Sequence, residues 1–331
     1  LQEEALAEYR AVVRDGGGAL EFDSKGRVVT AAGPLPEEIS ARRKDVAIEI
    51  NERLYVRDGF LALVPEVGSL SEAQGDEVRV RTTRGPEATA HLLAACRALW
   101  PPLEEDTGGR PTRLLDVFVF ETRALYRSYL DAAGLSEFAV ATGFADGARD
   151  VAVICGEGLS DHDLTGVAMH ELAHLFQYEV TPVVMPSWYA EGFAESFGGP
   201  GTYAWDGETL EPCGMLDSGR LAPLKTDDGF LPLAEMVRGD ALALLTTDKA
   251  RGHRFYAQAW ALYRFLKTDA DKEWRERFER WETMCRGAAL GAEAGKPYSR
   301  DTAPAAALFE RMFLADLAQL ESEFRAWLAD I

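Results

Sequence analysis

The chain has 331 residues, 47% hydrophobic and 27% charged, the composition of a folded protein with a substantial core rather than a disordered, fibrous or disulfide-stapled one. A net charge of −20, from 35 Lys and Arg against 55 Asp and Glu, repels phosphate backbones and anionic headgroups, so nucleic acid is not an expected partner. No apolar stretch approaches the ~20 residues that a bilayer-spanning helix needs, so no membrane span is expected.

The first seventy or so residues predict a short amphipathic helix near Glu3 to Val13, a Gly16-Gly17-Gly18 break and a hairpin. Its strands are Ala19 to Phe22 and Arg27 to Thr30, joined through Asp23-Ser24-Lys25-Gly26, where Gly supplies a positive φ. The polar stretch Gly68 to Asp76 is the best boundary, which gives an accessory region over 1–75 and a main domain over 76–331.

The main domain alternates α and β at first. A strand is predicted at Val78 to Thr82, a helix from Pro86 to about Leu99, a strand at Leu114 to Phe120 and a helix ending near Ala133. A ribbon then turns through Gly143-Phe144-Ala145-Asp146-Gly147 into a strand at Asp150 to Cys155. Beyond it the chain reads as mostly helical, and two late stripes recur at three- and four-residue steps. One is Trp274, Phe278, Trp281 and Cys285; the other is Leu317, Leu320, Phe324, Trp327 and Leu328. The fold class is therefore α+β. The cysteines, Cys96, Cys155, Cys213 and Cys285, lie too far apart for a local metal or dithiol motif and read as buried thiols or one or two bridges.

Chemistry concentrates in His170-Glu171-Leu172-Ala173-His174, an H-E-x-x-H run inside a helix predicted from Ser160 or Asp161 as N-cap to about Glu179. With five histidines in the chain, a pair at this spacing with an acidic residue after the first arises by chance only ~0.01 times. Residues four apart on a helix stack on one face, so both imidazoles can bind one ion while Glu171 projects beside them. Apolar neighbours on nearly every side, Val167, Ala168, Leu172, Ala173, Leu175 and Phe176, bury the helix. A hydrolytic zinc site usually takes three protein ligands, so a third must come from elsewhere. A second helix, Pro186 to Gly198 with Ser187 as N-cap and a Gly198-Gly199-Pro200 stop, carries Glu191 and Glu195 on one face. Glu195 is placed to accept the other ring N–H of a ligand histidine. His91 and His162 lie outside the motif and are expected to play no part.

HELAH followed by P-S-W-Y-A-E-G-F-A-E resembles the gluzincins, the thermolysin-like zinc peptidases with a glutamate third ligand, and most closely the bacterial peptidase MA-like group. Phe255 to Leu262 is similar to that group's Y-A-Q-x-W-A-L helix, and the resemblance extends over about Glu77 to Ile331. It implies a zincin-like fold, a small mixed sheet over the active-site helix followed by a mainly helical part. It also implies zinc held by His170, His174 and Glu191, Glu171 as general base and Glu195 outside the ligand set. Tyr256, which opens the Y-A-Q-x-W match, is the candidate donor to the oxyanion, with His253 as the next choice and core packing as the competing role. The segment G-x-M-E-N, which anchors the amine in zinc aminopeptidases, is missing, as is an Asn-Ala-Phe-Trp edge strand, so the contacts to substrate backbone are unassigned.

The expected function is zinc-dependent hydrolysis of peptide bonds in a peptide or protein substrate. The alternatives are a non-catalytic zincin-fold binding module and a zinc hydrolase of a non-peptide amide or ester. The chain opens on Leu1, so no N-terminal signal is visible, and the expected setting is bacterial and extracytoplasmic, secreted or at the envelope. The acidic surface either favours cationic substrates or serves solubility alone.

Overall fold

Five strands and the helices packed on them position the HELAH segment. The computed structural model describes residues 70–331, apart from 112–113, 134, 147–150, 182, 207–208, 213, 215 and 287–302, together with three short strands between 21 and 34. The chain divides into two compact units, Leu1–Pro65 and Glu66–Ile331. In the first, β1 (Glu21–Phe22) pairs antiparallel with β2 (Val28–Thr30), as the hairpin reading requires, and β2 pairs in turn with β3 (Gly33–Pro34). The helix expected near residues 3–13 lies outside the described residues.

The second unit is mixed α and β. Its sheet takes β4 (Ser71–Gln74), β5 (Val78–Thr82), β6 (Leu115–Phe120), β7 (Gly143–Asp146) and β8 (Val151–Cys155) in the order β4-β5-β6-β8-β7. β5, β6 and β8 run parallel and are buried along their whole lengths, while β4 and β7 run antiparallel at the two edges. The polar stretch around residue 70 thus contributes an edge strand. Gly143–Asp146 is likewise a strand where the sequence reads as a turn, because Phe144 is opposite Val153 and Asp146 opposite Val151. With two glycines flanking three residues, the local signal could not separate a strand from a loop.

One sheet face, including Val80, Val117 and Ile154, packs on α1 (Pro86–Thr107) and α3 (Asp161–Val180), and α2 (Arg123–Ala133) follows β6. α1 continues well past Leu99, through Pro101 and Pro102. Trp100 and Leu103 are buried on either side of these prolines, and that packing outweighs the missing donors. On the other face Asp116 accepts two bonds from Arg79, at 2.5 and 2.7 Å, and Arg81 lies 4.2 Å above the Phe118 ring.

The helical half begins with α4 (Ser187–Gly198). It continues through the hairpin β9 (Tyr203–Trp205) and β10 (Leu210–Pro212) and the short helices α5 (Ser218–Leu221) and α6 (Leu233–Met236). Then come α7 (Ala241–Thr247), α8 (Lys249–Arg264), α9 (Lys272–Arg286), α10 (Ala303–Phe313) and α11 (Leu317–Asp330). Pro186, not Ser187, caps α4; the Ser187 hydroxyl instead accepts from the Ala241 backbone N–H at 3.0 Å, tying α4 to α7. The two late stripes are core as read: Phe278, Trp281, Leu320 and Phe324 are buried, with Trp281 stacked on Trp188. A buried polar chain fixes α4 from below. Tyr189 donates to Glu282 at 2.6 Å, Lys267 bridges Glu282 and Asp106, and Tyr263 donates to Asp106 at 2.8 Å. Cys96, Cys155 and Cys285 are free, buried thiols. No helix among the described residues is long and apolar enough to cross a membrane.

Candidate metal centre

α3 starts where the Ser160 hydroxyl accepts the Asp163 backbone N–H, and it carries His170, Glu171 and His174 into the interior. α4 crosses it at very close range. A Cβ on Gly198 would lie 2.4 Å from both the Gly166 oxygen and the His170 nitrogen. One on Gly192 would lie 2.4 Å from the Ala259 oxygen of α8. The glycine of the Glu-Gly-x-Ala-Glu motif is thus explained by helix packing, and this approach is what brings Glu191 over the two imidazoles.

The three candidate ligand atoms form a nearly equilateral triangle. His170 Nε2 and His174 Nε2 are 3.1 Å apart, and Glu191 Oε2 is 3.3 Å from each. A tetrahedral ion with bonds of about 2.0 to 2.1 Å spaces its ligand atoms about 3.3 to 3.4 Å apart, so the triangle fits one face of such a site. Glu191 Oε2 is buried without a hydrogen-bond donor, and a buried carboxylate oxygen in that condition is what a cation would satisfy. Among the described residues these three are the group of His, Cys, Asp or Glu side chains whose ligand atoms converge in this way.

Burial alone would raise the Glu191 carboxyl, but the facing imidazoles outweigh it and hold it at about 2. Burial likewise opposes charge on His170, yet Glu191 and Glu195 leave its pKa raised. Glu171 goes the other way: burial pushes it up to about 8, the nearby Glu191 and Glu195 charges adding to the shift and His174 opposing it. Its carboxyl is pressed against the backbone of β7, since a Cβ on Gly143 would come within 2.9 Å of Oε1.

Glu195 is buried beside the triangle, its Oε1 3.9 Å from His170 Nδ1, longer than a hydrogen bond. Both its oxygens are held by the Arg220 guanidinium, at 2.7 and 3.1 Å. No spacing or periodicity links Arg220 to Glu195, and only the tertiary fold brings α5 here. A cleft of about 370 Å³ opens on the site. Its floor includes His170 and Glu171; its walls are the Val140–Gly143 segment, the Gly199–Trp205 segment and the face of α8 bearing Lys249, His253 and Tyr256.

Tyr256 lines this cleft, its ring centroid 6.4 Å from that of His170, whereas Trp260 and Tyr263 on the same helix are buried core. Burial first, and then the nearby carboxylates, raises its hydroxyl well above the usual tyrosine range, so it stays protonated as a donor. His253 is held low by desolvation and then by the charges of Lys249 and Arg220. His162 also lines the cleft; His91 instead sits 3.3 Å from the Thr165 hydroxyl and edge-on to Trp205. Neither a scan against protein-family models nor a search of curated proteins finds a match to this chain.

Proposed function

We propose that the protein is a zinc-dependent peptidase of zincin-like fold, with His170, His174 and Glu191 as metal ligands and Glu171 as general base. The observation that carries this reading is the ligand triangle with a non-ligand carboxylate on the next residue, in an open cleft. A zinc ion bound there would supply Lewis acidity, polarising a scissile carbonyl and lowering the pKa of a water towards ~7.

Glu171 takes the proton of the attacking water and delivers it to the leaving amine. Glu195, fixed by Arg220, stands beside the His170 ring and steadies the first ligand. Tyr256 donates its hydroxyl to the developing oxyanion. β7 is the edge of the sheet and passes directly over Glu171, so its backbone offers an extended peptide a strand to align on.

The test is incubation of zinc-loaded protein with a diverse peptide mixture and identification of new termini by mass spectrometry. Peptides left intact while a panel of simple esters and amides is hydrolysed would move the reading to a non-peptide hydrolase. No turnover of either would leave a binding module.

Two substitutions probe the roles. Gly143→Ala forces the Glu171 carboxyl to move and is expected to lower kcat ~10- to 100-fold with metal content intact. Tyr256→Phe is expected to cost ~10² to 10³ in kcat, with fold and metal retained. Steady-state kinetics beside elemental analysis checks both; normal turnover in Tyr256→Phe together with that loss in His253→Ala would pass the oxyanion role to His253.

A further inference from the structure

Along α8, Lys249, His253 and Tyr256 are spaced i, i+4 and i+7 and all face the cleft. At about 1.5 Å of rise per residue, Lys249 stands about 10 Å along the helix from Tyr256. Tyr256 is the inner end of the stripe, beside His170, and Lys249 is the exposed outer end.

The acidic groups lining the cleft are Asp163, Glu171 and Glu195. Glu195 is matched by Arg220, Asp163 accepts a hydrogen bond from Ser160 at 2.7 Å, and Glu171 sits at the metal triangle. The Lys249 ammonium makes no ion pair or hydrogen bond with any described residue, although acidic side chains outnumber basic ones 55 to 35 in the chain. Arg220 keeps donors to spare, since Glu195 occupies one N–H on each Nη and a guanidinium has five. The cleft therefore holds an ammonium with no carboxylate paired to it, one helical turn from an imidazole.

We propose that Lys249, with His253 beside it, receives a carboxylate of the substrate, so that the enzyme selects peptides carrying an acidic group within about three residues of the scissile bond. The carboxylate is either the C-terminus of the peptide or an Asp or Glu side chain. This inference rests on the peptidase reading above.

The test uses an acetylated heptapeptide of Ala and Phe in three series: a neutral C-terminal amide, the amide with one Glu moved through each position, and the free C-terminal acid without Glu. Dissociation constants are measured by titration calorimetry on zinc-loaded Glu171→Gln protein, so that binding is read without turnover. At least one carboxylate-bearing peptide should bind about tenfold more tightly than the neutral amide, and the series to which it belongs identifies the source. Lys249→Gln in the same background should bring that peptide to within about twofold of the neutral one, and Lys249→Arg should keep the preference. Equal affinities across the series, or a preference that survives Lys249→Gln, would overturn the proposal. If the wild-type enzyme then cleaves the neutral peptide, the peptidase reading stands alone; if no peptide of the series is bound and nothing in the diverse mixture is cleaved, both fall.

Discussion

Glu171→Gln is expected to retain one equivalent of divalent metal and to lose ~10² to 10⁴ in peptide hydrolysis. The amide keeps the shape of the carboxylate in a site where Gly143 is pressed against it, but it cannot take a proton. The three ligand atoms belong to other residues and are untouched. The substitution also carries a stability signature in metal-free protein. Because burial raises the folded-state pKa of Glu171 from 4.5 to about 8, the folded wild type binds a proton between these pH values that the unfolded chain has released. Wild-type stability therefore falls, relative to the variant, as pH rises through that window. Thermal denaturation of the two chelator-treated proteins at pH 5 and pH 8 reads this directly. A variant that hydrolyses peptides at the wild-type rate would place the base elsewhere.

Glu191→Ala is expected to weaken zinc binding by more than ~100-fold, because removing even a residue that only orients a ligand costs ~10 to 100-fold and Glu191 carries a ligand atom itself. Removing its carboxylate also leaves two imidazoles 3.1 Å apart as the remaining members of the triangle, with no negative charge between them. The helix should survive, since Gly192 keeps its contact with α8 and Tyr189 its bond to Glu282. Zinc at a hundred times its dissociation constant stabilises the wild type by about 2.7 kcal/mol, and the variant should show almost none of that gain in Tm. Elemental analysis after dialysis, beside calorimetric Tm with and without zinc, checks it. Equimolar metal in Glu191→Ala would dissolve the triangle as a site.

Periodicity and spacing carried much of this architecture. Leu115–Phe120 is legible as an apolar run broken only by Asp116, and Val78–Thr82 as valines alternating with Arg79 and Arg81 at the period of a strand. α3 is legible because its cap, its helix formers and its HELAH pair all agree, and two residues four apart on a helix share a face wherever that helix lies. The late stripes of α9 and α11 are core for the same local reason. What a chain cannot signal locally is which distant side chain arrives at a given point. That Glu191 meets His170 and His174 follows from α4 crossing α3 at Gly198 and α8 at Gly192, a packing fact that neither helix encodes alone. Arg220 reaches Glu195, and Lys249 reaches the cleft, through the same folding of short helices around α4 and α8. β7 was hidden because four residues beside glycine have no period long enough to read, and only pairing with β8 makes them a strand over Glu171. Local chemistry thus specified the elements and the H-E-x-x-H motif, and tertiary packing chose the partners, since contacts between helices depend on surface shape rather than on any repeat within one of them.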